Sequence, residues 1–203
     1  MIRNIVFDMG NVLIAYDAEM FAKMHVPDEA DRRTIMREMF LSYEWVQMDR
    51  GKLTPDECCK IVCARVPERL HDAVRTLLYG WHMDSMQIPG IDALIRRLKD
   101  KGYKLYILSN VNSLFYNYCK RLAGSDCFDG MFISCEYGVV KPEAAIYTIF
   151  ANKYHLQLDE CVFVDDTTGN VEAAVNIGMK GIVFHGDSVE LATKLSALGV
   201  DVG

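Results

Sequence analysis

Residues 5–13 read Ile-Val-Phe-Asp-Met-Gly-Asn-Val-Leu, "IVFDMGNVL". A strand-sized apolar run delivers one aspartate, Asp8, with Gly10 two positions further on. Continuous apolar runs bounded by turn residues suit a strand buried on both faces of a parallel sheet. If Ile2 to Phe7 is such a strand, Asp8 stands at its carboxyl end, where open parallel sheets bind their ligands. Whether Asp8 is chemistry or only a turn depends on what the other strands bring to that edge.

From residue 90 onward, strand-like runs alternate with helical periods. Ile91, Leu94, Ile95 and Leu98 fall at i, i+3, i+4 and i+7, and Lys101-Gly102 ends that helix. Strands are expected at Lys104 to Leu108, Met131 to Ser134, Cys161 to Val164 and Gly181 to Phe184. Helices are expected at Ser113 to Leu122, from Pro142 to Tyr154, at Val171 to Asn176 and at Ser188 to Ala197. This β-first alternation predicts an α/β fold, a doubly wound, Rossmann-like parallel sheet.

Residues from about Tyr16 to Met86 contain helical patterns and no convincing strand. They read as a helical cap (16–86) inserted into a core made of 1–15 and 87–203, with hinges near Ile14 to Asp17 and Asp84 to Pro89. Within the insert, Thr54-Pro55-Asp56-Glu57 has the form of a capping box with proline at the first helical position. A further helix is expected near Pro67-Glu68.

Composition excludes several classes. The 203 residues are 51% apolar and carry a net charge of −6, so a substantial core is available. Nothing in this balance suggests nucleic acid or an anionic membrane as a partner. No apolar run approaches the ~20 residues that span a bilayer. The N-terminus does not read as a signal peptide, no Asn-x-Ser/Thr sequon occurs, and a cytoplasmic location is expected. Seven cysteines without paired Cys-x-x-Cys spacing support neither a disulfide framework nor zinc, and Cys58, Cys59 and Cys63 read as small packing residues.

The expected strand ends carry a consistent set. After the first comes Asp8, after the second Ser109-Asn110, after the third Lys141-Pro142 by way of Gly138-Val139-Val140, and after the fourth Asp165-Asp166. Any one of these residues is commonly a helix cap or turn. Together they line one sheet edge with a candidate nucleophile, a hydroxyl and amide, a cation and a carboxylate pair. Three convergent carboxylates repel one another unless a cation joins them, and hard oxygen donors favour Mg²⁺. An aspartate can attack phosphorus if the phosphoryl charge is neutralised, by the metal and by Lys141.

In order, "FDMGNVL", "LSN", "KPEAAIY" and "FVDDTTGNVEAA" with its following Gly178 resemble the motifs of the haloacid dehalogenase-like (HAD) hydrolase superfamily over almost the whole chain. The insert resembles that family's type-one helical cap. The Asp-Asp pair resembles the subgroup that includes bacterial sugar-phosphate phosphatases, and Met48-Asp49-Arg50-Gly51-Lys52-Leu53-Thr54 resembles a cap turn of bacterial alpha-glucose-1-phosphate phosphatases that have an Asp-x-Gly-Asn-Val first motif. The resemblance implies a Mg²⁺-dependent phosphatase acting on a small phosphorylated metabolite through an aspartyl-phosphate. It implies Asp8 as nucleophile, Ser109, Asn110 and Lys141 around the phosphoryl group, Asp8, the Gly10 carbonyl, Asp166 and Asp165 at the metal, and Asn170 in support.

One departure matters. The family's phosphatases commonly carry an acid two residues after the nucleophile, and Gly10 cannot act as one. A good leaving group, another acid such as Asp17 or a cap residue, or slight activity would each account for it. A haloacid dehalogenase expels a halide that needs no proton and remains an alternative, as does a non-enzymatic phosphate-binding protein. Trp45, Tyr79, Trp81 and His82 are candidate pocket residues, although aromatics within helices are ordinarily core. His25, His71, His155 and His185 form no nucleophile–base pattern, and Arg32-Arg33 and Arg96-Arg97 read as solvated helix faces.

Overall fold

The computed structural model describes all 203 residues. Five parallel strands, β1 (Asn4–Phe7), β2 (Lys104–Ser109), β3 (Gly130–Ile133), β4 (Cys161–Asp165) and β5 (Lys180–Val183), form one sheet in the order β3-β2-β1-β4-β5. Alternating side chains enter two separate apolar clusters. Ile5, Phe7, Leu105, Ile107, Val162 and Val164 belong to one, and Val6, Tyr106, Leu108, Cys161 and Phe163 to the other. The period of two thus buries both faces, which is why these strands read as unbroken apolar runs.

Between β1 and β2 the chain forms α1 (Ala18–His25), α2 (Glu29–Ile35) with a π turn at Met36–Phe40, α3 (Tyr43–Asp49), α4 (Pro55–Arg65), α5 (His71–Gly80) and α6 (Ile91–Asp100). The Thr54 capping box forms as expected, with the Thr54 hydroxyl accepting from the Glu57 N–H and Glu57 reaching back to the Thr54 N–H. The two linkers of the insert run side by side: Ala15 N–H donates to Met86 O at 2.7 Å and Ile88 N–H to Leu13 O at 3.1 Å. Entry and exit of the insert are therefore pinned together beside the carboxyl end of β1.

Three helices follow, α7 (Ala144–Tyr154), α8 (Thr168–Asn176) and α9 (Ser188–Ala197). Two expectations need correction. Residues 113–122 form two 3₁₀ segments, Ser113–Asn117 and Cys119–Arg121, instead of an α-helix. Phe115, Tyr116, Asn117 and Tyr118 are indifferent helix formers, and the Asn112 side chain accepts from Leu114 N–H, offering the backbone a competing turn. The helix expected from Pro142 begins at Ala144, because both backbone groups of Lys141 are held by Asn110 and the cis Lys141–Pro142 segment stays in the loop. No helix is long and apolar enough to cross a membrane.

Candidate active site

Register places the polar strand ends together. Phe7 pairs with both Ile107 and Val164, and Asp8 N–H donates to Val164 O at 2.8 Å, so Asp8 emerges level with the ends of β2 and β4. The order reverses at β1, whose two neighbours lead to opposite edges of the sheet, and such a switch point opens a crevice. That crevice is a cleft of about 290 Å³ whose lining includes Asp8, Gly10, Asn11, Ser109, Asn110, Lys141, Asp166 and Asn170 from the core segments. Tyr16, Trp45, Asp49 and Trp81 from the insert complete it.

Lys141 is the electrostatic centre. The residue is 4% exposed, and its ammonium lies 2.7 Å from Asp8 Oδ1 and 2.6 Å from Asp165 Oδ2. Burial works against its charge, but the two carboxylates outweigh burial and hold its pKa above the ordinary lysine value. Asp8 is pushed up to about 6, by burial first and by the Asp165 charge, with Lys141 opposing. A buried lysine between two buried carboxylates leaves one negative charge uncompensated, before Asp166 is counted.

The paired aspartates divide their work. Asp165 is fully buried and accepts from Lys141 Nζ, Thr167 N–H at 2.8 Å and Asn170 Nδ2 at 3.0 and 3.1 Å. Asp166 is only partly buried, and its firmest bond is from Asn11 Nδ2 at 3.0 Å. An extended strand would send the two to opposite faces; the chain bends after Asp165, and ligand atoms of Asp8, Asp165 and Asp166 all lie within 4.8 Å of one another. The Met9 carbonyl accepts from the N–H groups of Val12, Leu13 and Ile14, whereas the Gly10 carbonyl accepts none of the loop's backbone hydrogen bonds.

Ser109 is buried at the end of β2 and lines the cleft. The Asn110 amide is engaged with Lys141, donating to its carbonyl at 3.0 Å and accepting from its N–H at 2.8 Å. Asn170 touches Asp165. Trp45 and Trp81 do line the cleft, whereas the Tyr79 hydroxyl donates to Asp56 elsewhere on the insert and His82 stacks on Tyr118. Asp17 is not in the cleft; it caps α1 by accepting from Met20 N–H. Arg33 pairs with Glu29, Arg96 with Asp92 and Asp126, and none of the arginines at 32, 33, 96 and 97 lines the cleft.

Asn11 and Asp49 are among the cleft residues not picked out from sequence. Asn11, at φ 54°, both steadies Asp166 and accepts from Tyr16 N–H at 2.9 Å, linking the carboxylates to the start of the insert. A small amide that tolerates the left-handed region directly after Gly10 was the available signal. Asp49, at the end of α3, is pushed up to about 7 by burial and then by the Asp8 charge. Its signal lay in the Met48 to Thr54 turn, whose function sequence spacing leaves open.

An acidic cluster at the switch point of such a sheet, bridged by a buried lysine, defines a hydrolase of known kind. Residues 2–178 match the haloacid dehalogenase-like hydrolase family, and the chain belongs to it. It is 26% identical over 181 residues to the sesquiterpene phosphatase astK of Aspergillus oryzae, covering 87% of each chain. It is also 26% identical over 194 residues to the D-ribitol-5-phosphate phosphatase of Bacteroides thetaiotaomicron, covering 89% of this chain and 90% of the relative. Two other relatives are much longer, and the chain spans 34% and 18% of them. Among solved structures, a HAD family enzyme of B. thetaiotaomicron in complex with magnesium and inorganic phosphate superposes with a TM-score of 0.67 at 22% identity, covering 94% of this chain and 99% of that one.

Proposed function

We propose that this hydrolase is a magnesium-dependent phosphatase that cleaves a small phosphate monoester, a sugar phosphate or similar polyol phosphate, through an aspartyl-phosphate at Asp8. The observation that carries it is the Asp8–Lys141–Asp165 arrangement beside Asp166 at the floor of a cleft. The donor set suits magnesium: hard carboxylate oxygens, a free carbonyl at Gly10 and an uncompensated negative charge. Asp8, Asp166 and the Gly10 carbonyl are the groups that would hold it, with Asp165 and Asn170 behind them. The cation supplies charge neutralisation of phosphoryl oxygens.

The chain's own residues then have distinct tasks. Asp8 is the nucleophile, kept near ionisation by Lys141, whose ammonium also faces the incoming negative charge. Ser109 and the N–H groups of the adjoining loop hold phosphoryl oxygens. Asn110 fixes the backbone of Lys141 and so positions its ammonium. The insert at 16–86 acts as a cap over the 1–15 and 87–203 core, contributing Tyr16, Trp45 and Trp81 as apolar faces opposite a polar floor. A cleft of about 290 Å³ suits a metabolite, near the ~300 Å³ lower bound of ligand pockets. Relatives named as phosphatases of a terpenoid and of ribitol 5-phosphate support the reaction class. The dehalogenase alternative lacks comparable support, since no arginine lines the cleft to hold a halide.

Phosphate release from a panel including hexose 1-phosphates and 6-phosphates tests the proposal. Turnover with Mg²⁺ that is abolished by a chelator and by Asp8→Asn is expected. Undiminished turnover with chelator, or tight phosphate binding without turnover across the panel, would refute it.

A further inference from the structure

The missing acid at Gly10 leaves the leaving group without a proton donor, and the cleft holds few candidates. Its titratable lining is Asp8, Tyr16, Asp49, Lys141 and Asp166. Asp8 is the nucleophile, Asp166 is bonded to Asn11 within the carboxylate cluster, and Lys141 is locked between two carboxylates. Tyr16 holds its proton too firmly, its pKa raised by burial and by the Asp49 charge. Asp49 remains, and its carboxylate has no hydrogen-bond or ion-pair partner in the protein, although its own backbone carbonyl is anchored by Ser134.

We propose that Asp49, delivered from the cap, protonates the leaving oxygen and then takes the proton of the attacking water, replacing the acid that Gly10 lacks. The proposal rests on the phosphatase function proposed for the cleft. In the first step the Asp8 oxygen–phosphorus bond forms, the ester oxygen–phosphorus bond breaks, and the Asp49 proton passes to the departing alkoxide. In the second, water attacks phosphorus, its proton returns to Asp49, and Asp8 leaves as carboxylate with inorganic phosphate.

The surroundings fit a carboxyl that changes protonation. The titratable groups that face it are Asp8 from the nucleophile loop, Tyr16 from the linker, Tyr118 from between the two 3₁₀ segments, Cys58 from α4 and Cys135 beyond β3. None is a cation. Arg50, its sequence neighbour, is paired with Glu143. The pKa near 7 is supportive, because an acid and base of that pKa serves both steps at neutral pH. An anomeric or otherwise activated leaving group is then unnecessary, and ordinary alkyl phosphates fall within the substrate range.

The test is a single-turnover comparison of p-nitrophenyl phosphate, whose leaving group needs no proton, with glucose 6-phosphate, whose alkoxide does. In Asp49→Asn, release of glucose in the first turnover should fall by about 10²- to 10⁴-fold. The p-nitrophenolate burst should stay within a few-fold of wild type and be followed by slow turnover, because the second step also loses its base. Gly10→Asp added to Asp49→Asn should restore glucose release; a Cβ at Gly10 meets only Tyr16 Cβ, at an ordinary 3.7 Å. In metal-free protein, the one Asp carboxyl resonance that titrates near 7 by ¹³C NMR should vanish in Asp49→Asn. Equal losses on both substrates, no loss on glucose 6-phosphate, or no recovery with Gly10→Asp would overturn the role of Asp49. Failure of wild type on both substrates would instead overturn the phosphatase function, and this inference with it.

Discussion

The Ser134 hydroxyl donates to the Asp49 backbone carbonyl across 2.5 Å, tying the end of α3 in the insert to the end of β3 in the sheet. The same hydroxyl accepts from Val111 N–H at 2.9 Å, and Arg50 pairs with Glu143 beside it. Gly51 completes the junction: at φ +68° it lies so close to Cys135 that a Cβ would stand 2.0 Å from that residue's carbonyl oxygen. This turn fixes where Asp49 stands in the lining of the cleft.

Gly51→Ala should therefore force the turn off the sheet edge. Left-handed backbone strain alone costs about 1–3 kcal/mol, or roughly 5- to 150-fold. Steady-state kinetics should show kcat/KM reduced by at least that factor. Gly80→Ala, where a Cβ meets nothing within 4 Å, should change neither activity nor stability by more than about 0.5 kcal/mol. Equal behaviour of the two variants would contradict the role of the junction.

Removing the buried cation should be costly. Lys141→Met leaves Asp8 and Asp165 facing each other without a counter-charge, and breaking such a pair typically costs about 3–5 kcal/mol. Denaturant unfolding of metal-free protein at pH 8 should show that loss, and Asp165→Asn added to it should recover part, giving a coupling energy in the double-mutant cycle. Additive losses would argue against the ion pair.

Stability should depend on pH in an inverted sense. Burial raises Asp8 to about 6 and Asp49 to about 7 from 3.8, with the nearby carboxylates adding to it. Between about pH 4 and 7 the folded state keeps protons that the unfolded chain has released, so these two groups contribute stability that is full below 4 and lost as pH rises through 6 to 7. The thermal midpoint of metal-free protein should fall from pH 5 to pH 8, less steeply in Asp49→Asn. Added Mg²⁺ should raise it most at pH 8. A midpoint that climbs equally in wild type and variant over this range would contradict the assignment.

Thr54→Ala should cost about 0.5–2 kcal/mol by removing the side-chain oxygen that caps α4. This helix lies outside the lining of the cleft, so kcat should be unchanged while the unfolding midpoint drops.

What could be read from the sequence follows from how local each determinant is. Buried parallel strands declare themselves as apolar runs, and the residues ending them, Asp8, Ser109, Lys141 and Asp165-Asp166, then fall on one edge by topology alone. The 3₁₀ turns at 113–121 were not legible, because Leu114, Tyr118 and Leu122 mimic a helical face while Asn112 quietly redirects the backbone. Whether Asp165 or Asp166 faces the cleft turned on a bend after β4 that strand geometry does not forecast. The Asn110 amide grips the Lys141 backbone, a pairing invisible in residue type. Asp49 comes from a separate segment and lines the same cleft as Asp8 only because the insert folds back over the sheet edge.

The most direct measurement is the covalent state of Asp8 during turnover. Enzyme mixed with Mg²⁺ and p-nitrophenyl phosphate, quenched rapidly in acid and mapped by mass spectrometry, should carry one phosphoryl group on the peptide containing Asp8. The adduct should accumulate in Asp49→Asn and be absent with chelator or in Asp8→Asn. Phosphate release without an adduct at Asp8, or undiminished release by Asp8→Asn, would contradict the account.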